Sequence, residues 1–168
     1  MSVPSLKNLI APLCPKPAIW ATGQASQSVS FSGSSKRMET RRSGHRTKVF
    51  FDGGCRPNPG TIEAAVVIRG AAYLFDDLGQ GTNSDAEWLA LICALKQALS
   101  LGLKDIVLIG DAREIIDHAG EALRTGHAPH AHAATLLDLA KQVPGARIRW
   151  IKRAQNLAGI ALAARHPR

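Results

Sequence analysis

The stretch KVFFDGGCRPNPG, residues 48–60, decides how the folded part of this chain is built. An apolar run ends on a single carboxylate, Asp52, and is followed by two glycines and a loop rich in Pro and Asn. A short apolar run bounded by such turn residues is typical of a buried strand. Asp52 therefore closes a predicted strand, where it either caps a turn or binds a metal ion together with other acids of the chain.

Apolar patterning predicts the elements that follow. Short links between three consecutive strands indicate an antiparallel meander. Apolar residues at helical spacing from Trp88 to Leu99 then predict a helix, which Gly102 ends. The apolar run IVLI that begins at Ile106 is typical of a strand covered on both faces. The predicted strands cover residues 48–52, 62–69, 72–78, 105–109 and 146–151, and further helices cover 112–124, a segment through Lys141 and a segment from about Asn156.

The resulting order, β-β-β-α-β-α-α-β-α, predicts an α/β fold with a five-stranded mixed sheet. In this sheet an antiparallel meander of three strands is followed by parallel strands, and helices cover both faces. A long helix between two strands predicts a right-handed crossover, which places the strand that ends at Ile109 beside the first strand. The carboxyl end of the first strand is then a switch point, where α/β sheets build their sites.

Two carboxylates, Asp52 and Asp111, follow the two predicted neighbouring strands. Parallel neighbours lie about 4.8 Å apart, so the two carboxylates would repel each other and raise each other's pKa. A divalent cation between them removes that repulsion. Glu87 is a third candidate, although Ser84 and Glu87 also have the spacing of a helix capping box. Three oxygen ligands suit Mg²⁺ or Mn²⁺, and a pair of such ions is the standard device for phosphodiester cleavage.

Three motifs in this order, DGGCRPNPG, GTNSDAEWLAL and IGDAR, resemble the ribonuclease H family. They are most similar to its small bacterial and archaeal members, and to plant and retroelement relatives, which lack a large basic protrusion. The resemblance runs from about Lys48 to Ala163. It implies a ribonuclease H-like domain over residues 47–168 that cleaves the RNA strand of RNA–DNA hybrids. It also implies that Asp52, Glu87 and Asp111 are the catalytic ligands of two Mg²⁺ or Mn²⁺ ions.

The resemblance also implies a surface that binds the hybrid. Cys55, Asn58 and Asn83 match positions that contact the minor groove in the family, and Asn side chains can reach 2′-hydroxyls there. Simple turn chemistry is the alternative explanation for Asn58. The full set of predicted nucleic-acid contacts is Gly53, Cys55, Arg56, Asn58, Asn83, Ser84, Lys152 and Arg153.

The last helix departs from the family pattern. Family members carry a fourth acid in a pattern like N-x-x-A-D-x-L-A, whereas this chain has NLAGIALA from Asn156. That alignment puts Ile160 at the position of the acid, and a shift by one residue puts Gly159 there. We expect weaker binding of the second ion and slower cleavage. The alternative is an impaired or inactive module of the same fold that still binds nucleic acid.

The basic charge is concentrated before the predicted domain. The chain has a net charge of +8, and residues 1–46 contain seven Lys and Arg but a single acid, Glu39. This Ser- and Pro-rich segment has no helical or strand period, so we expect a disordered tail that favours polyanions. An organelle-targeting segment or a translation start at Met38 are alternatives.

The remaining features predict a cytoplasmic monomer. Three cysteines without close spacing argue against a disulfide framework, and no apolar run is long enough for a membrane span. No obligatory protein partner is indicated. The His-rich link from His127 to His132 is expected to be a polar surface connection, with a catalytic or metal-binding role as the alternative.

Overall fold

The computed structural model describes residues 46–166. The predicted tail and the alternative start at Met38 therefore lie outside the described residues, apart from Arg46. The strands are β1 (Thr47–Cys55), β2 (Gly60–Ile68), β3 (Ala71–Phe75), β4 (Gln80–Gly81), β5 (Ile106–Gly110) and β6 (Arg147–Trp150). The helices are α1 (Asn83–Ser100), α2 (Arg113–Thr125), α3 (Ala131–Ala140) and α4 (Leu157–Ala164), with a 3₁₀ turn at Arg153–Gln155.

The sheet confirms the predicted fold class. Its strand order is β3-β2-β1-β5-β6, and the central strand β1 is antiparallel to β2 but parallel to β5. The two-residue strand β4, which lies in a predicted loop, adds a short antiparallel pairing to β2. Pairs such as Gly60 and Gly81 form it too briefly for the sequence to show a strand period.

Successive side chains of β1 pack against different helices, which shows which helices cover each face of the sheet. Val49 and Phe51 are fully buried in the main core with α1, α2 and α3, whereas Phe50 packs in a smaller cluster with residues of α4. Successive side chains of a strand point to opposite faces, so one apolar run can serve both cores. Fully burying a side chain the size of Phe51 contributes about 2–3 kcal/mol, which favours this register of β1 over a slip by one residue.

The first strand is longer than predicted. It continues through both glycines to Cys55, because β2 pairs with it as far as Cys55 and Ile62. The parallel pairing to β5 ends earlier, at Phe50 and Ile109. Asp52 therefore lies just past the last β1–β5 pair but still inside the β1–β2 ladder.

Helix α1 also begins earlier than predicted, and its cap is not the expected one. Thr82 is the N-cap, and it forms a capping box with Asp85 rather than Ser84 with Glu87. The Thr82 hydroxyl accepts a hydrogen bond from the Asp85 N–H, and the Asp85 carboxylate accepts one from the Thr82 N–H. The capping box predicted for Glu87 is therefore wrong, and its carboxylate is available for another role.

Among the helices within residues 46–166, none combines the length and the apolar character that crossing a membrane requires.

Candidate metal centre and nucleic-acid interface

Three carboxylates from three different elements meet at the carboxyl end of β1. Asp52 comes from β1, Asp111 directly follows β5, and Glu87 lies in the second turn of α1. One ligand oxygen of each carboxylate lies within 4.8 Å of one oxygen of each of the others. Asp52 and Glu87 are buried, with 2% and 9% of their surface exposed. The structure thus brings together the three acids that the sequence nominated as metal ligands.

A close contact between β1 and α1 places Glu87 beside Asp52. A Cβ added to Gly53 would lie 2.1 Å from the carbonyl oxygen of Ala86, so only glycine allows the two backbones to approach this closely. The sequence nominated Gly53 as a nucleic-acid contact. It lines the cleft beside the carboxylates, but the space that a side chain would need is occupied by the backbone of α1. Its main effect is therefore to position Glu87.

The donor set fits a divalent cation. Asp52 Oδ1 and Glu87 Oε2 are buried and have no hydrogen-bond partner within the described part of the chain. A buried carboxylate oxygen without a partner is costly, and carboxylate oxygens are the ligands that Mg²⁺ and Mn²⁺ prefer. The two unpartnered oxygens are therefore explained by a cation that Asp52, Glu87 and Asp111 would hold.

Without a cation the three acids perturb one another strongly. Burial, and then the neighbouring Asp111 carboxylate, raises the pKa of Asp52 to about 7. Burial raises the pKa of Glu87 to about 8, with further contributions from Asp52 and Asp111. The Arg153 guanidinium opposes both shifts, because it lowers the pKa of each carboxyl. A bound divalent cation would remove most of the electrostatic cost of ionising these carboxyls.

The raised pKa values predict a pH-dependent stability of the metal-free protein. Asp and Glu in the unfolded chain ionise near their ordinary pKa values of 3.8 and 4.5, whereas the folded groups ionise only at about 7 and 8. Between these limits the folded state binds more protons, so its stability falls as the pH rises. We expect the melting temperature in chelator to drop from about pH 5 to about pH 8, by an amount equivalent to roughly 1–3 kcal/mol.

Adding Mn²⁺ should reverse this loss, and by more at the higher pH, because the ionised carboxylates are the ligands. Differential scanning fluorimetry of the wild type and of Glu87→Gln would measure both effects. A pH profile of Glu87→Gln as steep as that of the wild type would contradict the assignment.

Asn156 holds the site together, and the sequence alone did not identify this role. Its amide nitrogen donates to the Phe51 carbonyl oxygen and to Asp111 Oδ1, both at 2.9 Å, and the residue is fully buried. Its side-chain oxygen accepts from the Ala158 N–H, which makes Asn156 the N-cap of α4. The only signal in the sequence was an Asn at the start of a predicted helix.

Replacing Asn156 with Ala should affect both stability and metal binding. The change leaves the Phe51 carbonyl and an Asp111 oxygen without their donor, so we expect a loss of about 1–3 kcal/mol in the free energy of unfolding. Asp111 also loses the group that orients it, which should weaken Mn²⁺ binding by about 10–100-fold. Urea denaturation and calorimetric Mn²⁺ titration measure the two effects. An unchanged Mn²⁺ affinity would show that Asn156 acts only on stability.

The predicted minor-groove residues form one hydrogen-bonded network next to the carboxylates. Cys55 donates to Asn83 Oδ1 through its backbone N–H at 3.2 Å and its thiol at 3.3 Å. The Asn83 N–H donates to Asn58 Oδ1 at 3.3 Å. Both amide oxygens are used inside this network, which leaves both amide nitrogens as donors for a ligand. Turn chemistry alone does not explain Asn58, since it contacts a helix start 25 residues away.

Most of the other residues predicted to contact nucleic acid line two adjoining clefts. A cleft of about 290 Å³ contains Asp52, Cys55, Arg56 and Arg153, and a second of about 450 Å³ contains Ser84, Glu87, Asp111 and Arg153. Arg153 lies between them, 3.6 Å from Asp111 Oδ2, with 75% of its side chain exposed. Lys152 is exposed and lines neither cleft. Glu63, which the sequence did not nominate, lines the smaller cleft and contacts Arg165 and His166.

The last helix presents Gly159, rather than Ile160, to the carboxylates. A Cβ added to Gly159 would lie 3.4 Å from Asp52 Cγ, whereas Ile160 is 55% exposed and lines neither cleft. Consecutive helical residues point about 100° apart, so only one of the two can face the sheet. We therefore propose Gly159, the alternative alignment, as the position of the lost acid, while Ile160 remains the position that the motif alignment predicts.

The His-rich link is structural. His130 Nδ1 accepts from the Ala133 N–H and caps α3, and its ring packs edge-on against Trp88 at 4.7 Å. His132 stacks on the same Trp at 6.3 Å and lies 3.5 Å from Asp85. The described residues contain one cluster of three or more potential metal ligands, Asp52 with Glu87 and Asp111, and it includes no His.

A mixed sheet with three carboxylates at the carboxyl end of its central strands defines the class of ribonuclease H-like proteins. A family model described as "Reverse transcriptase-like" matches residues 50–166. Together with the ribonuclease H relatives described next, this match shows that the chain belongs to the ribonuclease H family, as the resemblance of its motifs implied.

Known proteins agree with this class. Ribonuclease HI of Halobacterium salinarum is 39% identical over 75 residues, which is 42% of this chain and 38% of that protein. The match thus spans well under half of the relative's length. The crystal structure of RNase H1 from the same archaeon has a TM-score of 0.57 and 27% identity, covering 71% of this chain and 98% of the other. LC11-RNase H1 in complex with an RNA/DNA hybrid has a TM-score of 0.55 and 24% identity, covering 67% and 89%.

Proposed function

We propose that this protein is a divalent-metal-dependent endonuclease that cleaves the RNA strand of RNA–DNA hybrids. The observation that carries the proposal is the carboxylate cluster of Asp52, Glu87 and Asp111, with two unpartnered oxygens, directly beside the network of Cys55, Asn58 and Asn83. A cation site alone would not indicate a substrate. Its position beside amide donors indicates a nucleic acid with 2′-hydroxyls.

The residues of the interface supply recognition. The side-chain amide nitrogens of Asn58 and Asn83, which have no acceptor among residues 46–166, are donors for 2′-hydroxyls and for the acceptor edges of bases in the minor groove. Arg56 lines the cleft and offers a cation for a backbone phosphate, which positions the duplex without reading its sequence. A 2′-hydroxyl distinguishes the RNA strand from the DNA strand, so these contacts select which strand enters the site.

The residues of the metal centre supply the chemistry. A divalent cation bound by the three carboxylates would neutralise charge at the scissile phosphate and activate the attacking water. Asp111 is held in place by Asn156, and Asp52 is held within β1, so their oxygens are oriented before substrate arrives. Mg²⁺ and Mn²⁺ are the proposed ions. The absence of an acid at Gly159 leaves fewer charges for a second ion, so we expect its binding to be weak.

An assay with four matched substrates tests the proposal. A labelled RNA strand is offered as a hybrid with DNA, as an RNA duplex and alone, and a DNA duplex of the same sequence is added, each with Mg²⁺ or Mn²⁺. We expect cleavage of the RNA in the hybrid only, and none in chelator. Cleavage of the RNA duplex or of single-stranded RNA at the same rate would contradict the proposal. All of the residues it uses come from one chain, as the expected monomer requires.

A second candidate function has a specific observation in its favour. Arg153 lies within 3.6 Å of Asp111, and the helix that faces Asp52 offers Gly159 instead of an acid. Both features reduce the negative charge that a pair of cations needs. If the hybrid is bound but not cleaved with either metal ion, the protein is instead a nucleic-acid-binding module that has lost catalysis.

A further inference from the structure

A third cleft, which we call the basic cleft, lies at the other end of β1 from the carboxylates. Its walls carry Arg46, Lys48 and Arg69, and its floor carries Phe50, Val67 and Leu157. Its volume is about 460 Å³, comparable to that of the larger of the two clefts beside the carboxylates. None of the functions assigned above uses this cleft.

The walls of the basic cleft are positively charged and largely uncompensated. Arg46 pairs with Asp105 at 2.9 Å. Lys48 and Arg69 are exposed, and neither forms an ion pair with any residue in the range 46–166. None of the acids between residues 46 and 166 lines the cleft. Such a charge distribution suits an extended polyanion more than a small neutral ligand.

The basic cleft shares a face of the sheet with Asp52. The pairing of Val49 with Ile68, continued by one residue, puts Lys48 opposite Arg69. Lys48, Phe50 and Asp52 alternate along β1 and therefore point to the same face, the one that α4 covers. Four residues of strand span about 13 Å, which is about four base-pair rises of 3.4 Å. One duplex can therefore reach both sites.

The turn that presents Arg69 is not the one that stability alone would choose. Arg69 and Gly70 have φ angles of 53° and 85°, both in the left-handed region. Asn-Gly and Asp-Gly are the preferred pairs for such a hairpin turn, because Asn and Asp tolerate positive φ better than Arg does. The turn thus carries Arg69, a long cation, where Asn would fit the backbone better.

The chain that leads into the basic cleft is itself basic. Arg46, on the wall of the cleft, is the last of the seven Lys and Arg among residues 1–46, and Arg41 and Arg42 precede it closely.

We propose that the basic cleft binds the phosphate backbone of the same RNA–DNA hybrid, about four base pairs from the bond that is cut. The inference rests on the proposed function for the identity of the duplex, but its evidence is the cleft itself. Lys48 and Arg69 each neutralise one phosphate, and Phe50 supplies apolar contact at the floor. Substrate affinity then depends on a segment that the carboxylate site does not touch.

The test compares two double variants of the full chain, each in an Asp52→Asn background that prevents cleavage during binding measurements. Lys48→Gln with Arg69→Asn removes the two free cations of the basic cleft. Lys96→Gln with Lys104→Gln removes two exposed cations elsewhere on the described surface and is the matched control. Fluorescence anisotropy measures the Kd of a labelled hybrid at several salt concentrations. Arg69→Asn should preserve or raise the melting temperature, so a loss of binding will not reflect unfolding.

We expect the cleft variant to bind a long hybrid about five- to tenfold more weakly at low salt, and the slope of log K against log salt to fall by about 1.8. The control variant should bind as the parent does. The loss should disappear with a hybrid too short to extend four base pairs past the cut site. Equal binding by both variants, or an equal loss with short and long hybrids, would overturn the proposal.

Two further arms separate this proposal from its alternatives. If a poly-glutamate peptide binds the parent, loses affinity in the cleft variant, and hybrid binding is unaffected, the cleft serves an acidic protein segment and the proposal fails. If the wild type binds hybrids without cleaving them, the proposed nuclease function fails. A weaker hybrid affinity of the cleft variant would in that case still support the basic cleft.

Discussion

Asp52→Asn should abolish hybrid cleavage and, in the same experiment series, stabilise the metal-free protein. We expect the cleavage rate to fall by roughly 10³-fold or more, because the central ligand of the cation loses its charge. Burial and repulsion from Asp111 raise the pKa of Asp52 to about 7, which means that the ionised side chain is costly in the folded protein. A neutral Asn at this position avoids that cost. At about pH 8 the free energy of unfolding in chelator should therefore rise by roughly 1–3 kcal/mol.

The loss of cleavage and the gain in stability have opposite signs, so the experiment distinguishes a catalytic role from a role in folding. A residue that matters only for folding would lose activity and stability together. Asp117→Asn is the matched control, because Asp117 is an exposed acid on α2 six residues past Asp111. That variant should retain cleavage and change stability little. Cleavage by Asp52→Asn at the wild-type rate would mean that the activity comes from a contaminant or that the site lies elsewhere.

Gly159→Asp should strengthen cation binding and raise cleavage at low Mg²⁺. The added Cβ would lie 3.4 Å from Asp52 Cγ, in ordinary van der Waals contact, so the new carboxylate can join the three existing ones. A fourth carboxylate raises the charge available to a second ion. We expect Mn²⁺ affinity to rise about tenfold or more, with the largest gain in cleavage where the ion is scarce.

Ile160→Asp is the control for this prediction, since it adds the same acid one residue along the same helix. Because Ile160 is 55% exposed and lines neither cleft beside the carboxylates, its variant should leave cation affinity and cleavage unchanged. Calorimetric Mn²⁺ titration and a Mg²⁺ series of cleavage rates measure both variants. A gain from Ile160→Asp and none from Gly159→Asp would show that the alignment of motifs, and not the orientation of α4, locates the missing ligand.

The difference between Gly159 and Ile160 shows where sequence reasoning stops. Counting from Asn156 aligns Ile160 with the acid of the family, but the direction of a side chain depends on how the helix rotates about its own axis. That rotation is set by the residues that α4 buries against the sheet, Ala158 and Leu162 among them. Three further features depend on packing in the same way: the amide donors of Asn156, the Gly53 contact with Ala86, and the cap of α1 at Thr82.

Amino-acid patterning alone predicts the fold class and nominates the three acids. Apolar period and turn residues depend on the local chain, so strands, helices and their order follow from them. Two acids that close two adjacent parallel strands must meet, because strand spacing is a constant of the sheet. Side-chain packing in three dimensions is needed to show that Gly159 of α4 lies against Asp52, and that Arg46, Lys48 and Arg69 line one cleft. These arrangements join residues far apart in the chain through side-chain packing, which leaves no periodic signal in the sequence.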